Sequence, residues 1–188
     1  MAHQAGREAE DHLLSATEEV RLPELAARLQ GIAIARALTV ATAESCTGGL
    51  IGHSITANPG SSAFYVGGVV SYADDLKTGL LQVPASAIER HGAVSAQVAV
   101  AMAEGVRAAA DSDLGVSVTG VAGPEGGTEA KPVGLTYVAA AGPDGHLVRR
   151  FTWSGDRVAN KEHSAAAAMH LLIELIEAAP VALEQEQQ

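Results

Sequence analysis

The sequence is short of aromatic and basic residues, and both shortages restrict what the protein can be. Aromatic residues make up only 3% of the 188 positions, whereas hydrophobic residues make up 47%. The core must therefore be built mainly from alanine, valine, leucine and isoleucine, which favours helices packed closely on a sheet. Twelve lysines and arginines against 22 aspartates and glutamates give a formal charge of −10. This balance argues against nucleic acid as the main ligand, because contacts to a phosphate backbone require a basic surface.

Cysteine and long apolar runs are scarce as well. Cys46 is the one cysteine, so an internal disulfide cannot form. Residues 1–12 lack the basic start and the apolar run of a secretory signal, and no apolar stretch approaches the roughly 20 residues that cross a bilayer. We expect a cytoplasmic protein without a membrane partner.

The length fits one domain of ordinary size, and the hydrophobic content is ample for a globular core. We expect an acidic leader over residues 1–20, frayed or disordered. A single domain should cover residues 21–179, with a polar tail over residues 180–188.

Helical and strand patterns alternate along the chain. Apolar spacing predicts helices at residues 22–36, 50–57, 86–91, 96–110 and 156–176, with a short one around Lys77. Short β-branched or apolar runs predict strands at residues 38–43, 64–72, 114–119, 134–141 and 146–153, the last two forming an antiparallel hairpin. Ser86 with Glu89 fits a capping box, and Ser95 is a candidate helix cap. The alternation predicts an α/β fold with helices on both faces of a mixed, mainly parallel sheet.

Three predicted loops leave the carboxyl ends of strands, at residues 44–49, 72–77 and 120–128. Ligands of layered α/β folds gather at those ends, so we expect the loops to converge at one edge. Ser45 would expose its hydroxyl there beside backbone N–H groups of Cys46, Thr47 and Gly48, donors that can hold an oxyanion or a phosphate. The alternative is that Ser45 or Thr47 merely caps the following helix.

Lys77 and Tyr72 follow the second strand, close to the expected position of Ser45. A lysine activates a serine only when the amine is neutral. Burial and a helix N-terminus favour neutrality, whereas Asp74 and Asp75 oppose it if they point at the amine. Tyr72 could stand between Ser45 and Lys77. The plainer alternatives are a solvated lysine and a half-buried strand tyrosine.

Other candidate chemistry is weaker. Cys46 is a competing nucleophile, but no histidine is near it in sequence, and free cysteines are most often small buried hydrophobes. The histidines show no metal-ligand grouping, including His163 and His170 on one helix, so we expect no metal.

The glycine-rich segment 120–128 follows the third strand. It lacks the spacing of a P-loop or a dinucleotide fingerprint, which argues against nucleotide cofactors, and we expect no cofactor. Its backbone could still hold one phosphate, and a plain surface loop is the competing interpretation. The residues that would do so are Thr119, Gly120, Gly123, Gly126 and Gly127.

Several ordered blocks resemble the C-terminal domain of the CinA (competence/damage-inducible) family, whose stand-alone members include nicotinamide mononucleotide (NMN) amidohydrolases. They are ATAESCTGG at 41–49, GSSAFYVGGVVSYADDLK at 60–77, HGAVS at 91–95, TGVAGPEGG at 119–127, KPVG at 131–134 and SGDR at 154–157. Together they lie within a resemblance that covers about residues 23–178.

The resemblance implies a three-layer α/β/α sandwich and hydrolysis of the NMN carboxamide to nicotinic acid mononucleotide and ammonia. The family's proposed serine, tyrosine and lysine fall on Ser45, Tyr72 and Lys77. Larger members add an N-terminal domain that resembles molybdopterin-binding proteins and that these 188 residues leave no room for. Many relatives have an arginine a few residues after SGDR, where this sequence has Lys161.

The resulting hypothesis is a serine amidohydrolase that is expected to form a homo-oligomer. Lys77 would take the proton of Ser45 directly or through Tyr72, with the oxyanion on backbone donors near Thr47, Gly48 and Gly49. The NMN phosphate would rest on the 120–127 loop or near Ser61 and Ser62. The rival hypotheses are a catalytically silent nucleotide-binding module and an amidase for another small carboxamide.

Overall fold

The computed structural model describes residues 10–11 and 21–178, which build one six-stranded mixed sheet between two helical layers. The strands are β1 Glu10–Asp11, β2 Val40–Glu44, β3 Tyr65–Val70, β4 Leu114–Gly120, β5 Leu135–Gly142 and β6 Gly145–Thr152. The helices are α1 Leu22–Ala35, α2 Leu50–Thr56, α3 Asp74–Leu81, α4 Ala85–His91, α5 Ala96–Ala110 and α6 Arg157–Ala178, with a 3-10 turn at Ser61–Ala63. The predicted three-layer α/β/α class is confirmed.

The strand order is β1-β6-β5-β4-β2-β3. β2 pairs in parallel with β3 and β4, whereas β4, β5 and β6 are antiparallel neighbours and β1 runs parallel to β6. Of the predicted leader, the structure describes the two residues of β1; the remainder of it and the predicted tail beyond residue 178 lie outside the described residues.

Each face of the sheet has its own set of helices. α1, α2 and α6 pack on one another and on one side of the sheet, which we call the α6 face. α5 packs on β2, β4 and β5 from the other side, with α3 and α4 against it, and we call this side the α5 face. Side chains alternate between the two faces along β2: Val40 belongs to the core of the α6 face, and Ala41 and Ala43 to that of the α5 face.

The only tryptophan lies where the sheet meets the start of α6. Trp153 stacks on Phe151 and on His163, with ring centroids 4.8 and 5.3 Å away. Its indole Nε1 donates to Ser164 Oγ at 2.9 Å. These contacts fix the first turns of α6 against the end of β6.

Only one of the two predicted helix caps is present. Ser95 Oγ accepts the Val98 N–H at 3.3 Å at the start of α5, as predicted. The capping box at Ser86 is wrong, because α4 begins at Ala85 after Pro84 and places Ser86 inside the helix. There, Arg90 donates to the Ser86 hydroxyl instead.

Replacing the true cap should cost stability and replacing the wrong one should not. We expect Ser95→Ala to lower the free energy of unfolding by about 1 kcal/mol, the usual value of such a cap. Ser86→Ala is the matched control and should change it by less than about 0.5 kcal/mol, since Ser86 is exposed. Urea denaturation measures both, and equal midpoints for the two variants would contradict the assignment.

Candidate functional site

The carboxyl ends of β2, β3 and β4 meet at one edge of the sheet, because the three strands are parallel neighbours. We call this the carboxyl edge. The segments 44–49, 72–77 and 120–128 all leave the sheet there. The predicted convergence of the three loops is confirmed.

Three hydroxyl residues lie side by side along this edge. Glu44, the last residue of β2, pairs with Val70 of β3 and Val118 of β4. The strand hydrogen bonds continue to the next residue, since Ser45 N donates to Val118 O at 3.0 Å and Ser71 N donates to Glu44 O at 2.8 Å. Ser71, Ser45 and Thr119 therefore form one row across β3, β2 and β4. Their exposed fractions are 0%, 8% and 1%.

Side-chain alternation places the row on the α5 face. Ala43 and Val69 both pack in the core of that face, two positions before Ser45 and Ser71. Glu44 points the other way and reaches α2 on the α6 face. Successive residues of an extended chain point to opposite sides, so Ser45 and Ser71 share the side on which α3 lies.

Glu44 holds the turn that follows Ser45. Its carboxylate is 2% exposed and accepts the N–H groups of Gly49, Ile51 and Gly52 at 2.9, 3.1 and 2.9 Å. Gly49 occupies the N-cap position of α2 with φ of 98°, and as a glycine it has no side chain that could cap the helix. The alternative that Ser45 or Thr47 caps α2 is therefore wrong, because Glu44 takes those donors.

Ser45 is left with a free hydroxyl. Within the described residues, Ser45 Oγ makes no hydrogen bond, and Thr47 Oγ1 is buried without a partner. The N–H of Gly48 donates to Ser45 O at 3.1 Å, so it is not the oxyanion donor that the sequence suggests. The Thr47 N–H has no acceptor among the described residues and remains as a donor, whereas the Cys46 N–H interacts with its own thiol.

Lys77 is buried at the same edge. It is 1% exposed, and its Nζ donates to Asp74 Oδ1 at 3.0 Å and to the carbonyl oxygen of Tyr72 at 3.3 Å. The Asp74 side chain is 52% exposed. Asp74 thus points at the amine, so the opposing carboxylate that the sequence left open is present beside Lys77.

Tyr72 does not stand between Ser45 and Lys77. Its side chain is 60% exposed, and Arg157 Nη2 at the start of α6 donates to its hydroxyl at 3.2 Å. Arg157 Nη1 also donates to Gly123 O at 2.6 Å. Arg157 therefore ties the loop after β3 to the glycine-rich loop, on the α6 face.

All three lysines of this acidic chain lie around the carboxyl edge. Lys161, one turn after Arg157, has its Nζ 3.8 Å from the place that a Cβ on Gly48 would occupy. Lys131 Nζ donates to His91 O at 2.6 Å, close to the start of α5. Lys161 thus lies near the turn that follows Ser45, whereas Lys77 is paired with Asp74 and Lys131 with a backbone carbonyl.

Cys46 is not a thiolate at neutral pH. The residue is 6% exposed, and burial raises the pKa of its thiol to about 12. The backbone N–H of Cys46 opposes this rise in the thiol pKa, the nearby Glu44 carboxylate adds to it, and Lys161 and Lys77 have smaller opposing effects. This environment is that of a structural cysteine and argues against a thiol nucleophile.

The predicted phosphate contacts separate into two groups. Thr119 and the glycines of the 120–127 loop lie at the carboxyl edge, where the Thr119 hydroxyl donates to Ala93 O at 2.9 Å. Ser61 and Ser62 precede β3 and therefore lie at the amino end of that strand. Their expected role beside the phosphate is not supported, because the sheet separates them from Ser45.

Among residues 10–11 and 21–178, no group of three or more histidine, cysteine, aspartate or glutamate side chains could hold a metal ion. No helix within those residues is both long and apolar enough to span a bilayer.

Sequence reasoning missed Glu44, Ser71 and Arg157. Glu44 directly precedes Ser45, and a carboxylate just before a helix start is a signal for an interaction with the free N–H groups of that helix. Ser71 becomes visible only once the register of β2 and β3 is known. Arg157 lies in the SGDR block, and no spacing in the sequence indicates that it meets Tyr72.

Fold and site together define a three-layer α/β/α protein with a free serine hydroxyl and a buried lysine at the carboxyl edge of its sheet. Residues 22–176 match the CinA C-terminal domain, and the chain belongs to that family.

Similar proteins carry corresponding names. The competence/damage inducible protein CihA from Agrobacterium tumefaciens is 36% identical, with a TM-score of 0.81 over 86% of this chain and 99% of that one. A CinA superfamily protein from Klebsiella pneumoniae is 33% identical, with a TM-score of 0.82 over 85% of this chain and 99% of that one. A CinA-like protein from Synechococcus sp. (strain RCC307) is 60% identical over 121 residues, which are 63% of this chain but only 28% of that protein. The chain thus spans well under half of that longer relative.

Removing the charge of Glu44 should destabilise the fold. In Glu44→Gln one carboxylate oxygen becomes an amide nitrogen, so at least one buried N–H of α2 loses its acceptor. We expect the free energy of unfolding to fall by about 1–3 kcal/mol. Glu89→Gln, an exposed change on α4, is the control and should have almost no effect in the same urea titration. A Glu44→Gln variant as stable as this control would show that the three bonds are dispensable.

Proposed function

We propose that the protein is a serine amidohydrolase that converts NMN to nicotinic acid mononucleotide and ammonia. The observation that carries the proposal is the unpartnered Ser45 hydroxyl, which lies beside the N–H groups of Cys46 and Thr47 at the edge where Lys77 is buried. A nucleophile, oxyanion donors and a basic group at one site are what acyl transfer requires. Membership of the CinA family is consistent with this assignment.

In the proposed reaction, Ser45 Oγ attacks the carboxamide carbon while Lys77, as the free amine, accepts the serine proton. The developing oxyanion takes hydrogen bonds from the Cys46 and Thr47 N–H groups. Return of the proton to the carboxamide nitrogen releases ammonia, and water then hydrolyses the acyl-enzyme. No cofactor enters this sequence.

The cations at the start of α6 suit an anionic substrate. Arg157 and Lys161 are one helical turn apart, and Lys161 Nζ lies near Gly48. We place the NMN phosphate between these side chains and the 120–127 loop. Tyr72 would orient Arg157 through the hydrogen bond between their side chains.

A second candidate function is a catalytically silent nucleotide-binding module. The ion pair of Lys77 with Asp74 favours it, because an ammonium group cannot accept a proton from Ser45. The two functions differ in ammonia release, since the module would bind NMN without consuming it.

The cytoplasmic location and the homo-oligomer expected from the sequence stay predictions. β3 is an edge strand that exposes Val66 and Val70, and α3 exposes Leu76 and Leu80. These apolar side chains are surface available to a second copy of the chain.

Ammonia release from NMN tests the proposal directly. We expect Ser45→Ala to abolish turnover, and Lys77→Ala to lower kcat by about 100- to 10,000-fold, the usual contribution of a general base. Both variants should retain NMN binding by calorimetry, and Ser86→Ala on exposed α4 should behave as the parent. Parental turnover in both Ser45→Ala and Lys77→Ala would refute the mechanism. Binding without any ammonia from the parent chain would favour the silent module.

A further inference from the structure

Ser71 is a buried serine whose side chain has no role in the hydrogen bonds of the fold or in the reaction proposed above. Its exposed fraction is 0%, and its Oγ has no hydrogen-bond partner among the described residues. Buried hydroxyls are normally paired, so an unpaired one next to a candidate active site requires an explanation.

The position of Ser71 brings it next to the nucleophile. Ser71 and Ser45 are neighbours in the row of hydroxyls, on parallel strands and on the α5 face. Neighbouring strands lie about 4.8 Å apart. Two serine hydroxyls turned toward each other across that spacing come within reach of a hydrogen bond, and each turns about a single torsion angle. Thr47, whose buried hydroxyl also has no partner among the described residues, lies in the turn after Ser45 and outside the strand ladder.

The same position brings Ser71 next to the base. Lys77 Nζ donates to the carbonyl oxygen of Tyr72, the residue that follows Ser71. α3 lies on the α5 face, toward which the Ser71 side chain points. The Tyr72 hydroxyl, by contrast, is bonded to Arg157 on the other face. Ser71 therefore shares its face with both Ser45 and α3, which carries Lys77, whereas the Tyr72 phenol is bonded on the other face.

We propose that Ser71 is a catalytic hydroxyl that passes the proton of Ser45 to Lys77. This inference rests on the amidohydrolase proposed above and names its proton path. As Ser45 Oγ bonds to the carboxamide carbon, its proton moves to Ser71 Oγ, and the proton of Ser71 moves to the neutral Lys77 Nζ. The reverse transfer delivers a proton to the carboxamide nitrogen, the C–N bond breaks and ammonia leaves, so that Ser71 ends unchanged.

The test measures the reactivity of Ser45 without relying on NMN. Phenylmethylsulfonyl fluoride sulfonylates an activated serine with loss of fluoride, and the serine proton must leave by the same route. Labelling of the full chain is followed by intact mass and located by peptide mapping. We expect labelling at Ser45 in the parent, and in Ser71→Ala we expect the labelling rate to fall by about 10-fold or more. The kcat for NMN should fall as well, and KM should stay unchanged.

Two further variants separate catalysis from folding. Ser71→Ala removes a buried polar group that has no partner, so Tm should stay unchanged or rise. Ser71→Cys keeps a side chain of similar size with a poorer hydrogen-bonding group and should also slow labelling. Ser112→Ala is the control, because Ser112 is a buried serine before β4 whose Oγ already donates to Leu114 O. In this variant Ser45 should be labelled at the parental rate.

The outcomes separate the proton relay through Ser71 from the proposed NMN substrate. Parental labelling rates in Ser71→Ala, or no labelling of Ser45 in the parent, would overturn the relay. A slowed rate that comes with a lowered Tm would also overturn it, since Ser71 would then be structural. The expected labelling pattern without ammonia release from NMN would support the relay and refute only the assigned substrate.

Discussion

The carboxylate of Glu44 crosses from the end of β2 to the first turn of α2 and accepts three backbone N–H groups. A helix start normally leaves such donors for side-chain caps, water or ligands. Because Glu44 occupies them, neither Ser45 nor Thr47 is needed as a cap. The free Ser45 hydroxyl and the free Thr47 N–H both follow from this one buried group.

Around that turn, two faces of one sheet have different chemistry. The α5 face carries the hydroxyl row and the Lys77 amine, groups that can exchange protons. The α6 face carries Arg157 and Lys161, fixed cations that suit a phosphate. The carboxyl edge is where the two sets meet, so a substrate with a carboxamide at one end and a phosphate at the other fits this division.

Much of the fold could be predicted from local patterns. The long helices and the hairpin of β5 and β6 follow from apolar periodicity and from the turn residues between Gly142 and Gly145. The convergence of three loops followed from the general geometry of parallel strands. The capping box at Ser86 failed because Pro84 starts the helix earlier than the box requires.

The site was predictable in its parts but not in its pairings. Ser45, Tyr72 and Lys77 stay predictions as site residues, and contacts between elements decide their surroundings. Asp74 meets Lys77 through the geometry of one helical turn, Tyr72 meets Arg157 across 85 residues, and Ser71 lies beside Ser45 through strand register. Ser61 and Ser62 were misplaced because a sequence does not show which end of a strand a loop occupies until the topology is known.

The fluorescence of Trp153 can report on the start of α6. Trp153 is the only indole of the chain, and it stacks on His163 in α6, the helix whose first turns carry Arg157 and Lys161. Its fluorescence therefore reports from a single place, close to the cations proposed to hold the phosphate. A change in emission on adding a nucleotide would signal events at that helix, with no second fluorophore of the same kind to separate from it.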